Sequence, residues 1–403
     1  MTKPEFDQRI KPVSLKDTNL FKPISLPNNI TLSHRLTLAP LTRIKGDPKT
    51  LVPNVELASQ YYDQRSKRIG TLILTEGIFY SKECGGFYDG ISGIWNQDQI
   101  EAWSKIFEKI HSNGSFVIAQ LFHLGRQALP EYVAKNGLTY RAPSTGVYIN
   151  DGSAPFEEQA KEFNTPLTGF TTEEVEQEIK NFVQGGINSI KAGADGVQVH
   201  AANGYLLNQF LDPESNRRDD KYGGSIENRS RFILEIVDQL TTAIGADKIS
   251  VRLSPWSKFG GFQGAQDDPT LLAQYAHLVG ELEKRRKSGS NFQFIDLVEP
   301  RVDGADDKSS KEFLKSGSNK FIYDIWGGLI VRAGNYIGNI EALTKDVNDD
   351  NRTLISSGRY FIANPDLPDR LENGWPLNKY DRSSFYVNGT GEGYIDYPVY
   401  KSE

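Results

Sequence analysis

Short apolar runs alternate with longer amphipathic stretches along almost the whole chain. Eight of the runs read as strands: Arg35–Ala39, Thr71–Glu76, Phe116–Leu121, Gly196–His200, Ile249–Leu253, Phe294–Val298, Leu329–Arg332 and Thr353–Ser356. Helical periodicity runs over residues 54–68, 97–112, 172–192, 225–244 and 269–287, and more weakly over 335–348; a last helix is expected from Pro365 to Glu372. The stretch 172–192 shows why. Thr171 and Glu174 have the spacing of a capping box, Phe170 and Val175 that of a hydrophobic staple, and Ile179, Phe182, Val183, Ile187 and Ile190 recur on one face. Ser225 stands where the following helix needs its cap. Strands alternating with helices call for a parallel sheet. Eight repeats without a long linker call for its closure into a (β/α)8 barrel, one domain over residues 1–403.

Three stretches break this rhythm. Residues 125–170 are polar, with Pro143, Pro166 and several glycines, and so long a connection is expected to be a lid or an inserted hairpin. Residues 299–320, rich in Asp, Ser, Lys and Gly, are expected to be mobile. The tail from Pro376 to Glu403 carries five tyrosines without a period and is expected to pack across the barrel.

Composition removes several function classes. A net charge of −6 on 403 residues offers no electrostatic footprint for nucleic acid. The one basic cluster, Lys284 to Lys287, falls where a helix ends and its cations complement the dipole. Cys84 is the single cysteine, which excludes an internal disulfide and a thiolate metal cage. It reads as an incidental loop thiol without a base partner, and no metal is expected. The stretch from Met1 lacks the apolar core of a signal peptide, and no apolar run approaches membrane-spanning length. The expectation is a soluble cytoplasmic protein.

In a closed barrel the residues just after the strands share one face, whatever their separation in sequence. The fourth run ends in His200, Asn203 and Tyr205. Two hydrogen-bond donors and a phenol suit activation of a carbonyl compound and delivery of a proton, although the same residues can equally cap a strand end. Pro40, Leu41, Thr42 and Arg43 follow the first run, Gly77 follows the second, Gln120 ends the third and Arg252 the fifth. An amide, a cation, a hydroxyl and a bare glycine backbone make a surround for a flat polar ring. After the last two runs stand Gly334 with Asn335 and Gly358 with Arg359. Glycine turns and a guanidinium at these positions fit the phosphate site common in such barrels. Phosphate on one side and a planar ring site across the mouth point to flavin mononucleotide (FMN). No Gly-x-Gly-x-x-Gly leads from a strand into a helix, which sets a dinucleotide-binding domain aside.

These positions lie within longer blocks: Pro40–Arg43, His200–Pro213, Tyr222–Phe232, Leu297–Arg301, Gly358–Pro365 and Gly393–Tyr397. In these blocks the chain resembles the old yellow enzymes, most closely their fungal branch. The resemblance implies non-covalent FMN, reduced by NADPH and reoxidised by an activated alkene. It implies that Pro40, Leu41, Thr42, Gly77, Gln120 and Arg252 surround the isoalloxazine, while Gly334, Asn335, Gly358 and Arg359 hold the phosphate. His200 and Asn203 correspond to the pair that binds the substrate's carbonyl oxygen, and Tyr205 to the proton donor. Phe122 stands where the best-known fungal members carry tryptophan, which implies a wider substrate pocket; Tyr386 matches a tail tyrosine near the substrate. Thr42 occupies the position where another branch keeps a flavin-tuning cysteine, so Cys84 gains no redox role. Phenols are implied as inhibitory ligands, and a homodimer is one assembly found in the family. Two other readings stand beside this one: a non-catalytic flavin- or phenol-binding barrel, and a phosphate-binding barrel lyase or isomerase. The latter would want a Schiff-base lysine or a carboxylate base at a strand end, and none stands in an obvious place.

Overall fold

The structure, a computed structural model, describes residues 5–86, 89–300 and 317–401, with the backbone of 302–303 and 306–307. Eight parallel strands close into a barrel in chain order: β1 (Leu36–Leu38), β2 (Leu72–Phe79), β3 (Phe116–Phe122), β4 (Gly196–Ala201), β5 (Ile249–Leu253), β6 (Phe294–Val298), β7 (Ile330–Ala333) and β8 (Thr353–Ser357), with β8 pairing back to β1. Most strand ends fall within a residue or so of the apolar runs that predict them. The exception is β2, which passes Glu76 and continues to Phe79. An irregularity between Leu74 and Gly77 shifts its register on β3 and lets the strand go on, and the Phe79 N–H then finds the Ser92 carbonyl.

The outer layer holds α1 (Val55–Arg65), α2 (Gln97–Ser112), α3 (Thr172–Lys191), α4 (Ile226–Ile244), α5 (Thr270–Lys287), α6 (Ile340–Asp349) and α7 (Leu367–Asn373). Both halves of the capping box form on α3, and Ser225 Oγ accepts from the Asn228 N–H at the start of α4. Lys284 to Lys287 form the last turn of α5. Helix α6 starts at Ile340 rather than near 335, because Gly334 and Asn335 sit at φ +146° and +43°, outside the helical region. The main core lies between strands and helices. A second apolar cluster fills the amino end of the barrel: Leu72, Leu74, Ile118, Phe294, Val331 and Leu354, closed from below by Leu26 and Leu32. The latter two come from the antiparallel pair Ile24–Ser25 and Thr31–Leu32.

Residues 125–170 hold no antiparallel hairpin. They carry two short helices, Pro130–Lys135 and Phe156–Glu162, and the two-residue strands Arg141–Ala142 and Thr168–Gly169, which pair in parallel. A parallel pair needs a crossover, and Phe156–Glu162 supplies it. Of the stretch expected to be mobile, both ends are tied down: Glu299 and Asn319 are buried, and Asn319 donates to the Val298 carbonyl. The middle of that stretch lies outside the described residues apart from short pieces of backbone. The tail packs over the exit of β1 and against α1. Tyr394 stacks on Tyr61 at 4.2 Å, and the buried Arg43 lies over Tyr394 while donating to the Phe385 and Gly393 carbonyls. Among the described residues no helix is long and apolar enough to cross a membrane.

Candidate active site

The turns after β7 and β8 meet in one cleft of about 200 Å³. Gly334, Asn335, Gly358 and Arg359 line it, with Leu41 from the exit of β1 and Arg382, Phe385 and Tyr386 from the tail. A Cβ on Gly334 would stand 2.9 Å from Glu299 Cβ, and one on Gly358 would stand 3.0 Å from the Leu41 side chain. Gly334, with its positive φ as well, does not accept a side chain, and at Gly358 a side chain would have to displace Leu41, so bare backbone faces the cleft at both. With a carboxamide and a guanidinium beside it, this cradle fits an anion such as a phosphate monoester.

Inside the barrel, above the apolar cluster, a polar chain crosses four further strands. Gln120 on β3 donates to Gln198 on β4 at 2.7 Å, Gln198 donates to Asp296 on β6 at 3.1 Å, and Asp296 pairs with Arg252 on β5. All four are buried. Burial pushes the Asp296 carboxyl up, and Arg252 beside it opposes that shift. Arg252 Nε and Asp296 Oδ1 make no hydrogen bond to the described residues. A buried donor left over at the head of such a chain fits an acceptor-bearing heterocycle laid across the barrel. Next to this chain, Gly77 pairs with Gln120, and a Cβ on it would meet the Phe122 ring at 2.7 Å. The neighbouring Glu76 is buried under Arg43, whose N–H it accepts at 3.3 Å; burial raises its carboxyl to about 7. Burial and Arg43 together lower Lys45 to about 8.

The exit of β4 carries His200, Asn203 and Tyr205. Burial and the charge of Arg252, its register partner on β5, hold the His200 imidazole well below its usual range, so the ring is neutral. Its Nδ1 makes no hydrogen bond to the described residues. Asn203 sits at φ +56°, held by its N–H on Ser254 Oγ at 2.7 Å and by its carbonyl on Gln127 Nε2 at 2.9 Å. Both backbone groups are thus engaged, and a left-handed conformation costs of order 1–3 kcal/mol for a residue with a Cβ. Tyr205 caps the short helix Leu206–Leu211; burial, and then the nearby Tyr386, push its phenol above the ordinary value of 10. The His200 and Tyr205 rings lie 5.2 Å apart, and the Phe122 ring is 6.0 Å from the first and 5.2 Å from the second.

The structure therefore gathers the expected residues in three adjoining groups. His200, Tyr205 and Phe122 form one, with Arg252 beside His200; Gln120, Arg252 and Gly77 form the second; Leu41, Gly334, Asn335, Gly358 and Arg359 form the third. Tyr386, 59% exposed, lines the cleft, and its ring packs edge-on to Phe385 at 6.5 Å. Pro40 and Thr42 flank Leu41 and are half-buried, with no side-chain hydrogen bond to the other groups. Sequence reasoning missed Gln198, Asp296 and the tail residues Arg382 and Phe385. Only the first two left a signal, as polar residues interrupting apolar runs.

Residues 19–378 match the model of the NADH:flavin oxidoreductase / NADH oxidase family. Enoate reductase 1 of Kluyveromyces lactis is 48% identical over 391 residues, which cover 97% of this chain and 96% of that protein. A probable NADPH dehydrogenase of Candida albicans is 40% identical, over 95% of this chain and 92% of its own length. The crystal structure of an Old Yellow Enzyme from Pichia superimposes with a TM-score of 0.87 at 40% identity, covering 96% of this chain and 95% of that one. The chain belongs to the NADH:flavin oxidoreductase / NADH oxidase family and is an FMN-dependent oxidoreductase of the old yellow enzyme type.

Proposed function

We propose that the protein reduces the activated C=C bond of α,β-unsaturated ketones and aldehydes, with His200 and Asn203 holding the carbonyl oxygen and Tyr205 protonating the α-carbon. Bound FMN, reduced by NADPH, supplies the hydride for the β-carbon. As that bond forms, negative charge moves onto the carbonyl oxygen. A neutral imidazole and a carboxamide each offer one N–H to it, and such donors are worth about 3–4 kcal/mol each at an acyl-transfer oxyanion. The α-carbon then needs a proton. A phenol raised above its ordinary value keeps its proton at neutral pH and still donates to a basic carbon.

The same reading assigns the remaining residues. Arg252 offsets charge on the ring, and Pro40, Leu41, Thr42, Gly77 and Gln120 surround it. Gly334, Asn335, Gly358 and Arg359 hold the phosphate. Phe122 walls the substrate pocket, and Tyr386 borders it from the tail. Phenols compete with enones, since a phenolate oxygen offers His200 and Asn203 the same acceptor. The observation that carries the reading is the neutral His200 imidazole set 5.2 Å, ring to ring, from the protonated Tyr205 phenol at the exit of one strand. Purified protein tests it. A yellow colour bleached by NADPH without oxygen and restored by cyclohexenone is the expected result. Colour that NADPH does not bleach would support a binding protein, and colourless protein a lyase or isomerase.

A further inference from the structure

One residue past Phe122, on the flank of the barrel, three side chains of metal-ligating type meet. Cys84 ends the turn Lys82–Cys84 after β2, His123 follows β3, and Glu178 stands in the second turn of α3. One ligand atom of each, the thiol sulfur, a ring nitrogen and a carboxylate oxygen, lies within 4.8 Å of the other two, and all three residues are buried. His123 Nε2 is 4.0 Å from Glu178 Oε1. Glu178 is only 5% exposed; its Oε2 accepts from Asn181, but Oε1 makes no hydrogen bond of ordinary geometry to the described residues. A buried carboxylate oxygen without a well-formed hydrogen bond is costly. This one faces a thiol and an imidazole, with the Tyr80 phenol beside it as a competing donor.

We propose that Cys84, His123 and Glu178 bind one divalent transition-metal ion of the zinc class, at a site separate from the barrel mouth. A sulfur, a nitrogen and an oxygen ligand select zinc, cobalt or cadmium over magnesium or calcium, and three protein ligands leave one position for water in a tetrahedral site. Ligand atoms up to 4.8 Å apart must close by about 1 Å to reach bonds of 2.0–2.3 Å. The surroundings alone favour neutral groups: burial pushes the Cys84 thiol and the Glu178 carboxyl up, and lowers His123 to about 3. A cation reverses this for thiol and carboxyl. The Cys84 S–H proton leaves to solvent as the sulfur–metal bond forms, with any proton on Glu178. His123 Nδ1 accepts from the Gly125 N–H at 2.9 Å, so Nε2 carries the ring proton. Ligation through Nε2 moves that proton to Nδ1 and gives up the bond to Gly125, the main cost of the site.

A cleft of about 170 Å³ gives the ion a route, with His123 and Glu178 in its wall and the carboxylates of Glu83 and Glu174 beside them. Arg141 pairs with Glu174, which leaves Glu83 as the other acidic group there. The bound ion would clip the exits of β2 and β3 to α3. The His123 carbonyl accepts from the Leu206 N–H at 3.0 Å, and the Cys84 carbonyl from the Leu124 N–H at 3.1 Å. The clip therefore holds the backbone that carries Phe122 and Tyr205, and its role is structural.

Chelator-treated flavoprotein is titrated with Zn2+ by calorimetry and with Co2+ by absorbance. One equivalent of Zn2+ should bind, and Co2+ should give a thiolate charge-transfer band with absorption beyond that of the flavin. Cys84→Ser and Glu178→Gln should each weaken Zn2+ at least tenfold while His111→Ala, in an exposed His–Asp pair, leaves it unchanged. Less than one equivalent bound, a cobalt spectrum without the thiolate band, or binding unaltered by both substitutions overturns the proposal. If a variant fails to retain flavin, the cobalt spectrum of the unsubstituted protein decides alone.

Discussion

The two ends of the barrel use the same eight strands for opposite purposes. At the amino end the interior is Leu72, Leu74, Ile118, Phe294, Val331 and Leu354 under a plug of Leu26 and Leu32. At the carboxyl end it is Gln120, Gln198, Arg252 and Asp296, with buried polar atoms left over on Arg252, Asp296 and His200. Positive φ angles occur near that same end at Ile44, Asn203 and Asn335; at the amino end Asn29, in the turn of the plug, is also positive, and Asn28 Oδ1 beside it makes no hydrogen bond to the described residues. Unpaired buried polar groups and strained backbone cost stability. The apolar end supplies the cohesion that lets the polar end keep them, and the polar end is where chemistry needs groups without protein partners.

Substitutions at each end can break or sharpen this contrast. Phe294→Ala should destabilise the fold by about 3–5 kcal/mol, read from urea unfolding, and leave the alkene step of the surviving protein within about twofold of the original. A slowed alkene step would tie the two ends together. His200→Ala should do the reverse: about 3–4 kcal/mol of transition-state stabilisation is lost, on the order of a hundredfold or more in the alkene step, with the unfolding midpoint steady or raised.

Glu76 tests whether a polar group near the mouth costs stability, through pH. Its folded carboxyl titrates near 7, above its ordinary 4.5, so its contribution to stability is fully present below 4.5 and is lost as pH rises through 7. Between pH 4.5 and about 7.5, Glu76→Gln should gain roughly 3 kcal/mol on the unsubstituted protein. A constant difference between the two would mean that Glu76 is not held protonated. The smallest effect is expected from Asp296→Asn. With Arg252 less offset, the electron-rich reduced ring is favoured, and the flavin potential should rise by about 30 mV, a tenfold change for a two-electron couple. An unchanged potential would remove Asp296 from any role beyond packing.

The strands were legible because apolar runs bounded by glycine and polar residues have one reading when they recur between helices. The caps at Thr171 and Ser225 were legible for the same local reason. What the sequence hid lies where the barrel inverts a usual rule. In Val197-Gln198-Val199 and Ile295-Asp296-Leu297 a polar residue interrupts an apolar run, and nothing local ties either one to the site. In a barrel wrapped by helices the alternate residue points inward, and both are buried. The bulge that carries β2 to Phe79, and the parallel pair in 125–170, depend on distant partners that no local pattern announces. Cys84 read as an incidental loop thiol because His123 and Glu178, far away in sequence, come to it only through β3 and α3.

The central claim is that Tyr205 gives the alkene its proton while the ring site works without it. Stopped-flow kinetics of Tyr205→Phe in the two separate half-reactions test this most directly. The account predicts that reoxidation by an enone slows by at least a hundredfold, while reduction of the flavin by NADPH stays close to that of the unsubstituted protein. Equal slowing of both half-reactions, or of neither, would contradict it.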